Sequence, residues 1–333
     1  MKTPPRIAKT NDILLSVRAP IGRVNIAKQD TGIGRGLMAI RGSSSLNTLY
    51  LAYFLESLGK VWGQFESGGS VFSNLGKAEL AKIPIPLPPL DEQRGIAATL
   101  GALDDKIESN RRLIRLINDL LDSMALLLGS KLPSVALGDL VASSSQTVNP
   151  LRLGEQVVDH FSLPAFDSMQ TPERIPASEI MSNKLAISEP CILISRLNPR
   201  VNRTWLAIPE LGYPALASTE FLCVLPKGRV EIGAIWLALR DEFFISELRR
   251  RVTGTSGSHQ RVRPNDALSI EVPDVRKIAE TEKLRVTALL EIEHQRKAEN
   301  QHLSRLRDSL LPELLSGRIR VPEAHETVQE VIA

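Results

Sequence analysis

The side chains best equipped for chemistry in this 333-residue chain are arginines gathered in acid-free runs. Arg196, Arg200 and Arg203 lie between Glu189 and Glu210 with no acid among them. Arg249, Arg250, Arg251, Arg261 and Arg263 share fifteen consecutive residues that also hold none. A guanidinium fork matches phosphate oxygens and the edge of guanine, while Asn and Gln match adenine and Ser and Thr mostly meet phosphate. The second run encloses a Gly/Ser loop with Thr255, Ser256, His259 and Gln260, and Ser195 stands just before the first run. A similar set occurs near the N-terminus, where Arg18 and Arg23 precede the loop residues Ser70, Ser73 and Asn74. All of these are candidates for contacting nucleic acid; the alternative for each is a solvated turn, a structural ion pair or a flexible loop.

Net charge alone points nowhere, because +3 is small. Divided along the chain it is uneven: residues 1 to 90 carry eleven Lys or Arg against five acids, and residues 130 to 275 carry fifteen against sixteen. Enzyme signatures are missing. The nearest approach to a phosphate loop, Gly69 to Lys77, has the wrong glycine spacing and places Ala78 where a magnesium-binding Ser or Thr belongs. No Asn-Pro-Pro-aromatic tetrapeptide of the adenine methyltransferase kind is present. The five histidines are scattered, and Cys191 and Cys223 sit in apolar runs, where buried free thiols are expected rather than a disulfide or metal site. No cofactor, metal or catalytic residue is therefore expected. Charges break every apolar stretch before membrane length, and the first residues lack a signal-peptide core, so the expectation is a cytoplasmic protein with no membrane partner.

The elements that must position these arginines occur twice. Asp12 to Ala27 resembles Cys191 to Ala207, with Ile13, Leu14, Ser16 and Pro20 facing Ile192, Leu193, Ser195 and Pro199. Each copy reads as a buried strand running into a basic turn. Glu66 to Pro86 parallels Thr253 to Pro273, a Gly/Ser/Thr loop leading to a short strand closed by proline. Apolar helices are expected at Leu46 to Lys60 and Ile232 to Arg250, and Trp205, Phe221 and Trp236 as core. NRRLIRLINDLL from Asn110 finally matches NQHLSRLRDSLL from Asn300.

That last match lies in two long helices. In the first, Leu100, Leu103, Ile107, Asn110, Ile114, Ile117, Leu121, Met124 and Leu128 alternate steps of three and four, the seam of a coiled coil. The second, about Lys277 to Ser316, carries Leu289, Ile292, Leu303, Leu306 and Leu310 at similar spacing, interrupted by Arg296 and Glu299, and Gly317 ends it. Asn110 and Asn300 are the expected register-fixing polar residues.

On these residues the chain resembles the specificity subunits of type I restriction-modification systems. The resemblance rests on DILLSVRAPIGRVNIA from Asp12, on IPLPPLDEQRGIAATLGALDDKIESNRRL from Ile85, on ASTEFLCVLP from Ala217 and on LRDSLLPELLSGRIRV from Leu306, in that order. It implies an α+β protein in which two target-recognition domains are joined by two long helices forming an antiparallel coiled-coil spacer. The expected segments are a partial first recognition domain at 1–90, a first spacer helix at 91–130, a second recognition domain at 131–275, a second spacer helix at 276–318 and a tail at 319–333. The implied partners are double-stranded DNA, two adenine methyltransferase subunits on the helices and, through them, restriction and translocase subunits. The implied role is non-catalytic reading of a bipartite DNA site.

The two copies are unequal. The second has about 57 further residues, Ser134 to Pro190, before its first shared strand, and the first has eleven. A first domain without that piece is expected to expose strand edges and apolar surface. Two outcomes stay open: a second chain completes the domain, which is the expectation, or the first domain is a weak reader. The competing class is a coiled-coil scaffold or partial subunit without DNA recognition of its own.

Overall fold

The structure, a computed structural model, describes residues 6–66, 74–253 and 260–332. Its first part runs β1 (Arg6–Ala8), β2 (Ile13–Ser16), β3 (Val24–Ile26), β4 (Thr31–Ile33), β5 (Leu37–Ile40), α1 (Thr48–Ser57), α2 (Gly59–Glu66), α3 (Lys77–Leu80) and the long α4 (Leu90–Gly129). Next come β6 (Ser134–Ala136), α5 (Leu137–Leu140), β7 (Val141–Ser144), β8 (Thr147–Val148), β9 (Val157–Phe161), α6 (Leu163–Met169), β10 (Glu173–Pro176) and β11 (Lys184–Ile187). These are followed by β12 (Cys191–Ser195), β13 (Thr204–Ala207), β14 (Ala215–Ser218), β15 (Phe221–Pro226), α7 (Ile232–Ala238), α8 (Glu242–Arg250), α9 (Pro264–Leu268) and β16 (Glu271–Pro273). The chain closes with α10 (Glu280–Ser316) and α11 (Val321–Ile332). The architecture is mixed helix and strand, as expected. No helix among the described residues is long and apolar enough to cross a membrane.

The chain divides into two compact units, residues 1–111 with 298–333, and residues 112–297. In the first unit β2 is the centre of an antiparallel sheet ordered β3-β2-β5, because its residues alternate inward: Ile13 and Leu15 are fully buried against Phe54, Trp62 and Leu75. Asn47 caps α1 by accepting a hydrogen bond from the Tyr50 N–H at 3.0 Å. The α4 portion of this unit packs antiparallel on the α10 portion, with Leu100, Leu103 and Ile107 meeting Leu303, Leu310 and Leu314. Asn110 donates to Asn300 at 3.0 Å inside that seam. Arg307 reaches Asp104 at 2.7 Å, and Lys106 lies 3.4 Å from Glu299.

In the second unit β12 is buried at all five residues, as a continuous apolar run predicts for a central strand. It lies in the sheet β13-β12-β15-β7, and a five-stranded sheet, β10-β9-β14-β11-β8, packs alongside through Phe161, Trp205 and Phe221. Among the described strands only β14 and β9 pair in parallel. Helices α7 and α8 cover the other face, joined by Ile117, Leu121 and Ala125 of α4 and by Val286 and Leu290 of α10. Cys191 and Cys223 are buried free thiols, and Trp205, Phe221 and Trp236 are core, 4%, 2% and 9% exposed.

Three departures from the sequence reading have physical causes. Each apolar helix is two helices, α1–α2 and α7–α8, the second restarting in unit two at an Asp241 cap that accepts from Phe243 N–H at 2.9 Å. The α10 seam runs through Val286, Leu290, Glu293 and Asn300 rather than Leu289 and Ile292. Its charge at Glu293, 6% exposed, is met by Lys297 at 2.7 Å, so residue type gave the wrong face. Ile292 is 38% exposed. The segment 319–333 contains a helix, α11, whose Ala324 and Val328 are buried against α4 of the first unit.

The unequal copies are visible as strands. In the second unit the extra segment supplies β7, which pairs with β15, and β6, which pairs with β16. Among the described residues of the first unit β5 pairs with β2 alone, and the stretch aligned with β16, Ile83 to Pro86, forms no strand. An apolar groove lies beside it, lined by Phe54, Leu58, Val61, Phe65, Ile83 and Pro84.

Candidate nucleic-acid interface

At the end of β12 the chain turns through residues 196–203 and comes back as β13. Ser195 ties the turn: its N–H donates to the Arg203 carbonyl at 3.0 Å and its hydroxyl to the Leu197 carbonyl at 3.0 Å. Ser195 is 2% exposed, so its oxygen is spent inside the turn. Two other segments cross this turn. Arg196 N–H donates to the Glu220 carbonyl at 2.9 Å, and Val262 N–H donates to the Arg196 carbonyl at 3.0 Å. The loop that contains Arg261 is thereby fixed to the β14–β15 hairpin.

The first unit repeats the three backbone bonds of this frame. Ser16 N–H donates to the Arg23 carbonyl at 2.9 Å, Val17 N–H to Gly36 at 2.9 Å, and Leu75 N–H to Val17 at 3.0 Å. The Ser16 hydroxyl donates to the Pro20 carbonyl at 2.6 Å and accepts from Arg23 N–H at 2.8 Å. Gly22 is obligatory here: its φ is +87°, and a Cβ would stand 2.1 Å from the Trp62 ring. Isolated bridges fall at matching places, Arg18 with Asn74 and Leu197 with Arg261.

On this common frame the side chains differ. Arg261 forks onto Glu220, Nε to Oε2 at 2.9 Å and Nη2 to Oε1 at 2.8 Å. Arg203 forks onto Asp167 of α6 at 2.6 and 2.8 Å. Arg196 donates Nη2 to the Thr219 carbonyl at 2.6 Å. The guanidinium beside each carboxylate holds Asp167 and Glu220 below the usual carboxylate range. Arg200 and Arg263 are exposed with no side-chain partner among the described residues, and Arg263 stands just before α9. In the first unit Arg18 donates Nε to Asn74 Oδ1 at 3.1 Å, while Arg23 is exposed without a side-chain partner among the described residues. The Gln260 carbonyl accepts from Asn198 N–H at 2.9 Å, and its side-chain oxygen is buried with no partner among the described residues. Ser70, Ser73, Thr255, Ser256 and His259 lie outside the described residues.

The structure thus brings Arg196, Arg261, Gln260 and the turn bearing Arg200 and Arg203 together, and Arg18 together with Asn74. Chemically the arginines are forked donors on rigid backbone: Arg203 and Arg261 are aimed by carboxylates, Arg196 and Arg18 by a carbonyl and an amide oxygen, and Arg200 has no side-chain partner among the described residues. Sequence reading missed the carboxylates. Glu220 sits inside the quoted segment ASTEFLCVLP, but its counterpart in the first copy is Gly36, so the repeat gave no sign of a role. Asp167 has no counterpart in the first copy at all.

Comparison with known proteins adds the following. Residues 4–119 match the family described as "Type I restriction modification DNA specificity domain". A Methanocaldococcus jannaschii protein named as the type I restriction enzyme MjaX specificity subunit is 43% identical over 110 residues, 33% of this chain and 26% of that one. The MjaIX specificity subunit of the same organism is 35% identical over 124 residues, 36% of this chain and 27% of that one. The matched stretch is thus about a quarter of the length of these relatives. The crystal structure of a type I restriction-modification system S subunit from M. genitalium aligns with 92% of this chain and 83% of that one, at a TM-score of 0.59 and 18% identity, which is a likeness of fold.

Proposed function

We propose that this chain, whose residues 4–119 match the type I restriction modification DNA specificity family, reads a bipartite duplex DNA site as the non-catalytic specificity subunit of a type I complex. One observation carries the reading: the same turn, hairpin and loop are locked by the same backbone hydrogen bonds in both units, and each presents basic side chains. A coiled-coil scaffold has no use for two such copies. Arg200, Arg263 and Arg23, exposed and without a carboxylate partner among the described residues, suit phosphate; Arg196, Arg261 and Asn74, held in place, suit base edges.

The methyl donor and ATP belong, in this reading, to partner subunits in the cytoplasm. The helices offer those partners a surface. In the second unit Leu120, Met124, Leu127, Leu128, Leu289 and Ile292 line an apolar groove on the α4 and α10 portions, and Leu116, Leu120 and Leu127 are 57%, 49% and 55% exposed. Exposed leucines in a row are costly unless covered, and an adenine methyltransferase subunit is the proposed cover, with restriction subunits carried through it. The open edge of β5 is the proposed place for a further segment, from a second chain, to complete the first domain.

The test is electrostatic. Replacing Arg196, Arg200 and Arg203 together with Ala should weaken duplex binding and, through the loss of the phosphate contact of Arg200, reduce the slope of log affinity against log salt by ~0.9. A slope unchanged in the triple variant would remove the turn from the interface.

A further inference from the structure

The two units place one side chain at the same point, where the loop bridges to the turn: Asn74 against Arg18 in the first and Arg261 against Leu197 in the second. We propose that this position is the base-reading position of each domain, with Arg261 selecting a guanine and Asn74 an adenine. The assignment rests on the DNA-reading function proposed above and deepens it to a base at a residue.

Three observations support it. First, both side chains are held rather than free. Glu220 occupies the Nε and one Nη2 proton of Arg261, leaving Nη1 and the second Nη2 proton side by side, the donor pair that guanine O6 and N7 accept. Arg18 occupies one lone pair of Asn74 Oδ1, leaving the second lone pair and the Nδ2 protons, the acceptor and donor that adenine N6 and N7 require. Second, Glu220 cancels the charge of Arg261. A cancelled guanidinium gains little from phosphate, whose attraction is mainly Coulombic, but keeps its directional hydrogen bonds to a base. Arg200 and Arg263 lack such a carboxylate among the described residues and keep full charge for the DNA backbone. Third, the backbone under both positions is the same, so that a change of side chain changes chemistry without moving the frame.

Enrichment of randomised duplexes by the full chain, in complex with its methyltransferase subunit and the segment that completes the first domain, tests this. The parent chain should enrich a motif with a required guanine in one half and a required adenine in the other. Arg261→Asn should convert that guanine to adenine, and Asn74→Arg the adenine to guanine, each altering preference by ~5- to 150-fold at one position and leaving the other half-site unchanged. Arg261→Lys keeps charge and bulk but lacks the fork, so it should lose guanine preference while binding at low salt persists. Glu220→Gln should raise the salt slope for non-specific DNA by ~0.9, because one more cation now meets phosphate; a merely structural Glu220 would leave that slope alone. Variants that fold and bind but enrich the parental bases at both positions would overturn the base assignment while leaving DNA reading intact. A parent chain that enriches no sequence would overturn both.

Discussion

His160 shows what a residue on β9 experiences when the sheet closes around it. Both ring nitrogens are buried without a hydrogen-bond partner among the described residues, and burial pushes its pKa down, with Lys184 adding to the effect and Glu173, 3.9 Å away, opposing it. The unfolded chain, with an imidazole near ~6.5, therefore takes up its proton first as pH falls. Stability of the second unit is complete above that value and is lost from about pH 6.5 down to the lowered native value, by at most ~1.4 kcal/mol per pH unit. Melting curves of the parent and of His160→Gln between pH 5 and 8 check this: the variant should lose the slope, and an equal slope in both would place the titration elsewhere. The carboxylates Asp167 and Glu220 titrate in a different window. Being depressed, they keep their arginines paired throughout that range and release them only in acid.

Among the elements, the α4 seam was legible and the α10 seam only in part, its Leu303 and Leu310 being buried where expected. Leu100, Leu103, Ile107 and Leu121 are apolar and buried at their expected places, so type and spacing agree. On α10 the seam accepts Glu293 by pairing it with Lys297, while Leu289 and Ile292 face the groove, so type and burial disagree. Helix α11 was readable from the spacing of Ala324, Val328 and Ile332, but a short terminal stretch after Gly317 gave no reason to look. The basic turn was legible because the same apolar strand precedes it twice; that the Ser195 hydroxyl is buried inside the turn was not, because a serine beside arginines looks the same buried or exposed. Asn110 and Asn300 are the seam's polar pair, 4% and 5% exposed. Asn110→Ala should cost ~1–3 kcal/mol by stranding the Asn300 amide. Replacing both by Leu should restore or exceed parental stability in urea while permitting helix pairing in more than one register, seen as cysteine crosslinks between positions that the parent never joins. A double variant as weak as the single would show that the amide pair does more than fix register.

At the scale of the molecule, α4 has 40 residues and α10 has 37, and in the proposed reading they are the spacer between the two half-site readers. A heptad inserted into each keeps every seam residue on its face and adds ~10 Å of helix, about three base pairs. The preferred gap between the two half-sites should lengthen accordingly, read by methylation mapping in cells that supply the partner methyltransferase; a gap indifferent to helix length would mean that the spacer does not measure it. The division into units has a consequence of another kind. The first unit is discontinuous, built from residues 1–111 and 298–333, with the second unit entirely between them. During synthesis, Leu100, Leu103 and Ile107 emerge long before Leu303, Leu310 and Val328, against which they pack. The usual order, in which the N-terminal domain folds first, is therefore reversed: a nascent chain stalled after Lys297 should already protect residues 112–297 from protease while residues 1–111 are still cut. The domain begun first on the ribosome is the last to be finished, and its exposed apolar helix face must wait through the whole translation of the other.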